Sequence, residues 1–395
     1  MRNVWIIGAG ISGLSIKEFL GKSNYLVKLI EKNNYLGGRI KSIKVNSSTI
    51  DVGSQFFCKS DRHIWKLIER RNLEDKVIRL DFSDISFLCG KELYQDTDTI
   101  RSLINDILER YKLYDGKNGH VSFDEWFLSN FSKDEIFIPK SIINAITFTD
   151  TSKLTVDYGV YILETFFDEC FSLEGGLKEL IQPISENATV EMKKVESIIF
   201  KGNKAVRLLT NKDKIDVEND LVISTAPPST VKIVGNEKLE NILSKIRFRG
   251  CAVTIFKTKK YFEDKPNYIF IQKGKSPISV IEQINMGNDT FVGCLIPHSE
   301  SISISKQKAV KLCVNFLKRV IDEDFKDSVE EVFYEDWIKG LPIVDVTYNK
   351  YLGKLREEMK FRNFILAGDH TTPFPSMDSA VKSAIEACTE IENLR

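Results

Sequence analysis

The stretch MRNVWIIGAGISGLSIKEFL constrains this chain more than any other. Val4 to Ile7 is apolar and reads as a buried strand. It runs straight into Gly8, Gly10 and Gly13, spaced G-x-G-x-x-G, and Ile11 to Leu20 reads as the helix that follows. Tyr25 to Ile30 (YLVKLI) reads as a second strand that ends at Glu31, so the opening is a β-α-β unit. Three glycines alone fit a plain strand-to-helix turn equally well. In a dinucleotide cradle the three serve different ends. The first permits the tight turn, the second lets the backbone approach a pyrophosphate, and the third lets helix and strand pack closely. The helix start then presents free N–H groups and partial positive charge to the phosphates. An acid about 20 residues on accepts from the ribose hydroxyls and disfavours a 2′-phosphate, and Glu31 stands there. The ligand expected is therefore FAD or NAD.

The next motif separates the two. YLGGRI places Gly38 and Arg39 shortly after Glu31. The glycine allows close approach, and the arginine brings a guanidinium to a pyrophosphate. DVGSQFF follows twelve residues on. Taken with the glycine loop and the acid, L-G-G-R and D-x-G-x-Q resemble the flavin-containing amine oxidase superfamily. That group includes monoamine and polyamine oxidases, protoporphyrinogen oxidase, carotenoid desaturases and renalase. NFILAGDHTTPFPSMDSAVKSAIEA resembles its closing A-G-D … S-M-E-G-A signature, SLEGGLKELIQPI its glycine-rich helix segment, and DLVISTAPP its D-x-V-I-x-x-x-P strand. The matches keep the family's order from residue 4 to about residue 390.

The resemblance implies non-covalent FAD, since no cysteine lies where monoamine oxidases link the flavin. It assigns the cofactor to Gly8, Gly10, Ile11, Ser12, Gly13, Glu31, Lys32, Gly38, Arg39, Ser54, Gln55, Val195, Gly368, Asp369, Ser376 and Met377. Within that set Asp369 falls near the ribityl–pyrophosphate junction. Met377 falls near the pyrimidine carbonyl, Val195 near adenine, and Ser54 and Gln55 along the ring. The catalytic residues stay unassigned. Ser379 stands where the family has glycine. Cys251, in FRGCAVTIFKTKKYF, stands where many amine oxidases place a lysine; it reads as a buried core thiol, or as the mark of a branch without that lysine. His370 reads as packed beside the pyrophosphate, or as reaching flavin or substrate. Trp337, Tyr158 and Tyr161 read as core aromatics, with a place in a substrate pocket as the other reading.

Further along, helices are expected at His63–Arg71, Thr99–Lys112, Ser122–Asn130 (SFDE as a capping box), Val156–Phe167, Ser305–Ile321 and Ser376–Leu394, and Pro183 is expected to end the helix of LKELIQPI. ATVEMKKVESIIF, KAVRLLT, CAVTIFK, TFVGCL and VEEVFYEDW read as strands. The fold class expected is α/β: a Rossmann-type FAD-binding domain, glutathione-reductase-like, from residues 1–75, 172–245 and 345–395, with an interleaved α+β substrate domain from 76–171 and 246–344.

With 56 basic and 56 acidic residues, there is no general attraction to nucleic acid. No run approaches the roughly 18 apolar residues of a membrane span, so no integral membrane segment is expected. Seven scattered cysteines without a C-x-x-C pair suit reduced thiols in the cytoplasm, and four histidines without metal spacing suggest no metal centre. The function expected is an FAD-dependent oxidoreductase passing hydride from a small substrate, an amine or related donor, to flavin N5, with dioxygen or another acceptor reoxidising the flavin. The alternatives are a renalase-like oxidase of misreduced nicotinamide dinucleotides, a desaturase of a polyisoprenoid or porphyrinogen, and a non-enzymatic flavin-binding regulator.

Overall fold

The structure is a computed structural model that describes residues 2–21, 25–116, 121–272, 274, 276–286, 288–358 and 360–393. His120 and the expected helix end at Leu394 lie outside the described residues. In chain order, β1 (Arg2–Ile7), α1 (Ile11–Leu20) and β2 (Tyr25–Glu31) form the opening unit. Then come the hairpin β3 (Ser42–Val45) and β4 (Ser48–Asp51), β5 (Phe57–Cys58), α2 (Arg62–Arg70), β6 (Val77–Arg79), β7 (Ile85–Cys89) and β8 (Glu92–Tyr94). Four helices follow: α3 (Thr97–Tyr111), α4 (Phe123–Leu128), α5 (Phe137–Thr147) and α6 (Val156–Thr165). The middle holds β9 (Cys170–Leu173), α7 (Lys178–Ser185), β10 (Thr189–Met192), β11 (Val195–Lys201), β12 (Lys204–Thr210), β13 (Lys214–Asp216), β14 (Leu221–Ser224), β15 (Lys232–Val234) and α8 (Glu237–Leu243). The rest is β16 (Phe248–Thr258), β17 (Tyr268–Ile271), β18 (Val280–Met286), β19 (Asp289–Ser299), α9 (Lys306–Val320), α10 (Phe325–Ser328), β20 (Val329–Pro342), α11 (Tyr348–Glu358), β21 (Phe364–Leu366) and α12 (Met377–Asn393).

The strand β1 explains the first layer. Its side chains alternate. Val4 and Ile6 face α1, α2, α7 and α12 in one apolar cluster, and Trp5 and Ile7 face the other way into a second. A strand buried on both faces belongs inside a parallel sheet. β1 pairs in parallel with β2 and β14, giving the order β10-β2-β1-β14-β21. The four-stranded sheet β13-β12-β11-β15 covers the face opposite the helices, with Ile198, Phe200 and Leu208 in the same cluster as Trp5. This is the α/β layer expected for a dinucleotide-type fold. Its strands come from residues 2–31, 189–224 and 364–366, so the chain leaves the layer and returns twice.

A seven-stranded sheet, β20-β16-β19-β18-β17-β7-β8, forms the other body. One face packs under α9 through Ala252, Phe256, Cys294 and Phe316. The other carries Cys251, Val253 and Ile255, which pack with Ile50 and Val52 of the β3–β4 hairpin and the residues after it. That hairpin therefore lies between glycine loop and large sheet.

Several local expectations need correction. Pro183 does not end α7, which runs two residues further. Pro183 sits late in the helix, where its lost N–H costs only one bond before the end. ATVEMKKVESIIF is two strands in different sheets, with Lys193 and Lys194 at the corner. The helix α5 was not expected, because Pro139 breaks the pattern of FIPKSIINAIT; a proline in a helix's first turn is tolerated. The segment before residue 170 also contains strands β5 to β8, too short for periodicity to reveal. The SFDE capping box is present, with Ser122 and Glu125 bonding reciprocally.

Candidate cofactor and active site

The glycine loop is built by close approach. Gly8 turns the chain at φ +102°, and its N–H donates to the Ile30 carbonyl at 2.8 Å. A Cβ on Gly13 would overlap the Gly8 carbonyl oxygen, so only glycine lets α1 sit against the strand end. Gly10 caps α1 in an extended conformation with no side-chain bond, and no acid stands in the first turn. The first N–H groups of α1 are thus open, at the positive end of the helix dipole. A Cβ on Gly10 would come no nearer to this protein than 3.8 Å, from the Gly38 Cα. Ile11 is buried, and the Ser12 hydroxyl donates to the Ala380 carbonyl at 2.7 Å, which ties α1 to α12.

Glu31 ends β2 beneath this loop. Its carboxylate accepts from the Ala9 N–H at 2.8 Å and the Asn33 N–H at 2.9 Å. It thus shapes the loop. Lys32 beside it is exposed. The Gly37 N–H donates to the Ala9 carbonyl at 2.8 Å, drawing Gly38 over Gly10. β10 pairs with β2 as far as Met192 opposite Glu31, and buried Val195 follows three residues later at the start of β11.

Arg39 and Asp369 meet across 330 residues. The two guanidinium amines donate to the two carboxylate oxygens at 2.8 Å each, and one also donates to the Gly340 carbonyl at 2.8 Å. Three of five arginine donors are thereby committed inside the protein. Burial pushes the Asp369 carboxyl up, but the charge of Arg39 and the bonds from His370 and Arg39 outweigh it, and the group is held well below the usual carboxylate range. The Gly368 N–H donates to the Ser383 hydroxyl at 2.8 Å, and the Ser54 N–H to the Arg39 carbonyl at 2.9 Å. Loop, hairpin exit and C-terminal motif thus close on one point.

α12 starts at this point. The Ser376 N–H donates to the Ser379 hydroxyl at 2.8 Å, and the Ser379 N–H returns to the Ser376 hydroxyl at 3.0 Å. Ser379, the departure from the family's glycine, therefore acts as a helix-start clasp. Met377 is half-buried on the first turn. Asp378 accepts from the N–H groups of His63 and Ile64 at 2.6 and 3.0 Å, which fixes α2 to the start of α12. His370 is buried beside the Phe248 ring, and its Nε2 has no hydrogen-bond partner among the described residues.

On the large-sheet side, Cys251 is buried between Pro297 and Trp337, and burial pushes its thiol far up. It is a core thiol, packed with Val253 and Ile255. Trp337 donates from Nε1 to the Val52 carbonyl at 2.6 Å, a structural peg. Tyr161 and Phe374 stack at 4.8 Å and 7°, with Tyr158 parallel to both; the Tyr158 hydroxyl donates to the Pro375 carbonyl at 3.4 Å. Tyr158 is thus a core ring, as read from the sequence, and half-buried Tyr161 and Phe374 pack against it to form an aromatic wall beside the start of α12. Gln55 donates to the Glu282 carboxylate at 2.7 Å. Glu282 was invisible to sequence reasoning: a glutamate in an apolar strand, VIEQINM, is its only signal. Among the described residues no group of three or more His, Cys, Asp or Glu side chains could hold a metal ion.

With this geometry in hand, the chain matches the family described as flavin containing amine oxidoreductase over residues 11–392. It belongs to that family. Its cofactor is FAD, and it is an FAD-dependent oxidoreductase in class. Among solved structures it is similar to a protoporphyrinogen oxidase-like protein from Exiguobacterium sp. 255-15, with a TM-score of 0.80, 16% identity, and coverage of 100% of this chain and 99% of that one. It is also similar to putrescine oxidase bound to putrescine, with a TM-score of 0.74, 14% identity, and coverage of 99% of each chain. Among curated proteins it is 39% identical over 57 residues to 1-hydroxycarotenoid 3,4-desaturase of Flavobacterium sp. (strain P99-3), covering 14% of this chain and 12% of that one. The chain spans about an eighth to a quarter of the length of the curated relatives it matches. Among the described residues no helix is long and apolar enough to cross a membrane.

Proposed function

We propose that this protein oxidises a small amine, taking a hydride from the carbon that bears the nitrogen. The observation that carries the reading is the aromatic wall of Tyr158, Tyr161 and Phe374 at the start of α12. Flat apolar rings there suit a compact substrate held by its carbon skeleton, and ring faces also favour a nearby cationic nitrogen. FAD bound in this fold supplies the hydride acceptor at its N5. The protein's residues bind and orient. The open N–H groups of α1 receive the phosphates, with room kept by Gly10 and Gly38, and Glu31 receives the ribose. Asp369, held ionised by Arg39, receives the ribityl chain. The start of α12 at Ser376 and Met377 presents positive dipole to the pyrimidine edge. Val195 is taken to flank the adenine, and Ser54 and Gln55 to line the ring. We divide the chain accordingly: residues 1–75, 172–245 and 345–395 bind FAD, and 76–171 and 246–344 form the substrate side. Dioxygen or another acceptor removes the electrons, and the seven free thiols suit a reducing cytoplasm.

A second reading, desaturation of a polyisoprenoid, draws on the curated desaturase relatives. Anaerobic titration, followed at the flavin absorbance, separates them. Bleaching by an amine panel supports the amine reading. Bleaching by a polyisoprenoid alone, or by misreduced nicotinamide dinucleotides alone, overturns it. A flavin that none of them reduces would leave the regulator.

A further inference from the structure

Glu282 is buried, 5% exposed, and among the described residues no lysine, arginine or histidine pairs with it. Its hydrogen-bond partner is the neutral amide of Gln55. A lone buried carboxyl is costly, and proteins neutralise it or reserve it for a ligand.

The sheet makes room for this carboxyl. Glu282 pairs across to Gly293 on β19, and a Cβ on Gly293 would stand 2.9 Å from the Glu282 carboxyl carbon. On its other side Glu282 pairs with Tyr268. The Tyr268 ring stacks on Phe82 at 4.6 Å, and Phe82 meets Phe56 at 5.2 Å. Phe56 is exposed and adjoins half-buried Gln55. A carboxyl beside an aromatic ring is the chemistry that receives an organic cation. The place is also right. Ser54, next to Gln55, bonds to the Arg39 carbonyl, so the carboxyl lies one residue and one hydrogen bond from the cofactor cradle.

We propose that Glu282, with Gln55 and the Tyr268 ring, forms a subsite that receives the positively charged nitrogen of a bound organic cation. The inference rests on the amine reading for its biological use, not for its test. Burial raises the empty carboxyl to about 7, with the Gln55 bond lowering it and Asp51 raising it. Tyr268, Cys251 and Cys294 are the other titratable groups that feel its charge. A bound cation stabilises the ionised form, so binding at pH 6 releases a proton.

The test is calorimetry on the FAD-loaded protein, with benzamidine as a cation that flavin does not oxidise and benzamide as its neutral counterpart. Benzamidine is expected to bind with proton release, read from two buffers of different ionisation enthalpy at pH 6. E282Q is expected to weaken benzamidine about 10- to 100-fold, the worth of one buried charge-assisted bond, to abolish the proton release, and to change benzamide less than about 3-fold. E282D, which keeps the charge, restores part of the affinity and serves where E282Q loads FAD poorly. Equal benzamidine affinity in wild type and E282Q overturns the proposal, as does no benzamidine binding to wild type at millimolar concentration. The amine reading fails separately. If Glu282-dependent benzamidine binding is found and no amine bleaches the flavin, the subsite stands and that reading falls.

Discussion

Gly10 and Gly13 are two residues of one motif, yet the structure makes opposite demands on them. In G13A the new methyl meets the backbone oxygen of Gly8, and Ile6 Cγ2 at 3.2 Å. Gly8 cannot retreat, because its N–H is bonded to Ile30 and its carbonyl accepts from the Thr225 hydroxyl at 3.2 Å. So α1 must move out by about 1 Å, and eight of its ten residues are buried, mostly against α7, α12 and the sheet. Overpacking of this kind costs about 3 kcal/mol. In a chain of 395 residues, at about 2.1 cal/mol/K of unfolding entropy per residue, that lowers the melting temperature by about 3–4 °C, with or without FAD. In G10A the methyl meets no protein atom nearer than 3.8 Å, and the backbone at φ −75° suits alanine. The apo protein should melt within about 1 °C of wild type, because a surface-like change is worth within about 0.5 kcal/mol. But in the proposed cradle that methyl would stand where the backbone approaches the pyrophosphate, so FAD affinity should fall by about 100-fold or more, the scale of a lost charge-assisted contact plus a clash. The assay is a thermal melt of deflavinated protein paired with FAD titration by fluorescence quenching. G10A that binds FAD as wild type does would refute the cradle. G13A that melts as wild type does would refute the packing argument.

Single contacts carry the other expected effects. D369N breaks the pair with Arg39; since Arg39 is about one-third exposed, the loss should be about 2–3 kcal/mol, below the usual range for fully buried pairs, read as a shifted urea midpoint. Because the Asp369 carboxyl is depressed in the folded protein, its contribution is complete above the unfolded value near 4 and is lost as pH falls below it, so D369N should flatten the stability curve in that acidic window. C251A should leave the rate of flavin reduction within about 2-fold and cost about 1 kcal/mol for the small cavity; a 10-fold slower reduction would show that the thiol takes part. S379G keeps the Ser379 N–H bond to the Ser376 hydroxyl but removes the hydroxyl that accepts from the Ser376 N–H; it should lower stability by about 1 kcal/mol, and an unchanged melt would show that this hydroxyl carries nothing.

What sequence reasoning reached and what it missed divide along one physical line. The glycine loop, β1, α1, β2 and Glu31 were legible because their meaning is local: a turn, a close approach, a strand end, all within about thirty residues. The capping box at Ser122 was legible for the same reason. The strands β7 and β8 were not, because a short strand is defined by its partner, and β7 pairs in parallel with β17 across some 180 residues. Arg39 could be placed in the cradle by its motif, but not its commitment to Asp369, 330 residues away. Ser379 read only as a departure from the family's glycine, and the structure shows its hydroxyl closing the helix start. Glu282 is the extreme case. In the sequence it is one acid among 56 acidic residues, and most acids are solvated. Only the register of β18 against Gly293 and Tyr268, and a bond to Gln55 from 227 residues upstream, make it a buried carboxyl with no cation beside it among the described residues. Backbone demands write themselves into sequence as glycine spacings, and they report the cofactor. Unbalanced charge arises from what distant segments bring together, and in the proposed subsite it is what would select the ligand. That is why a chain of this kind declares its nucleotide early and its donor only through the fold.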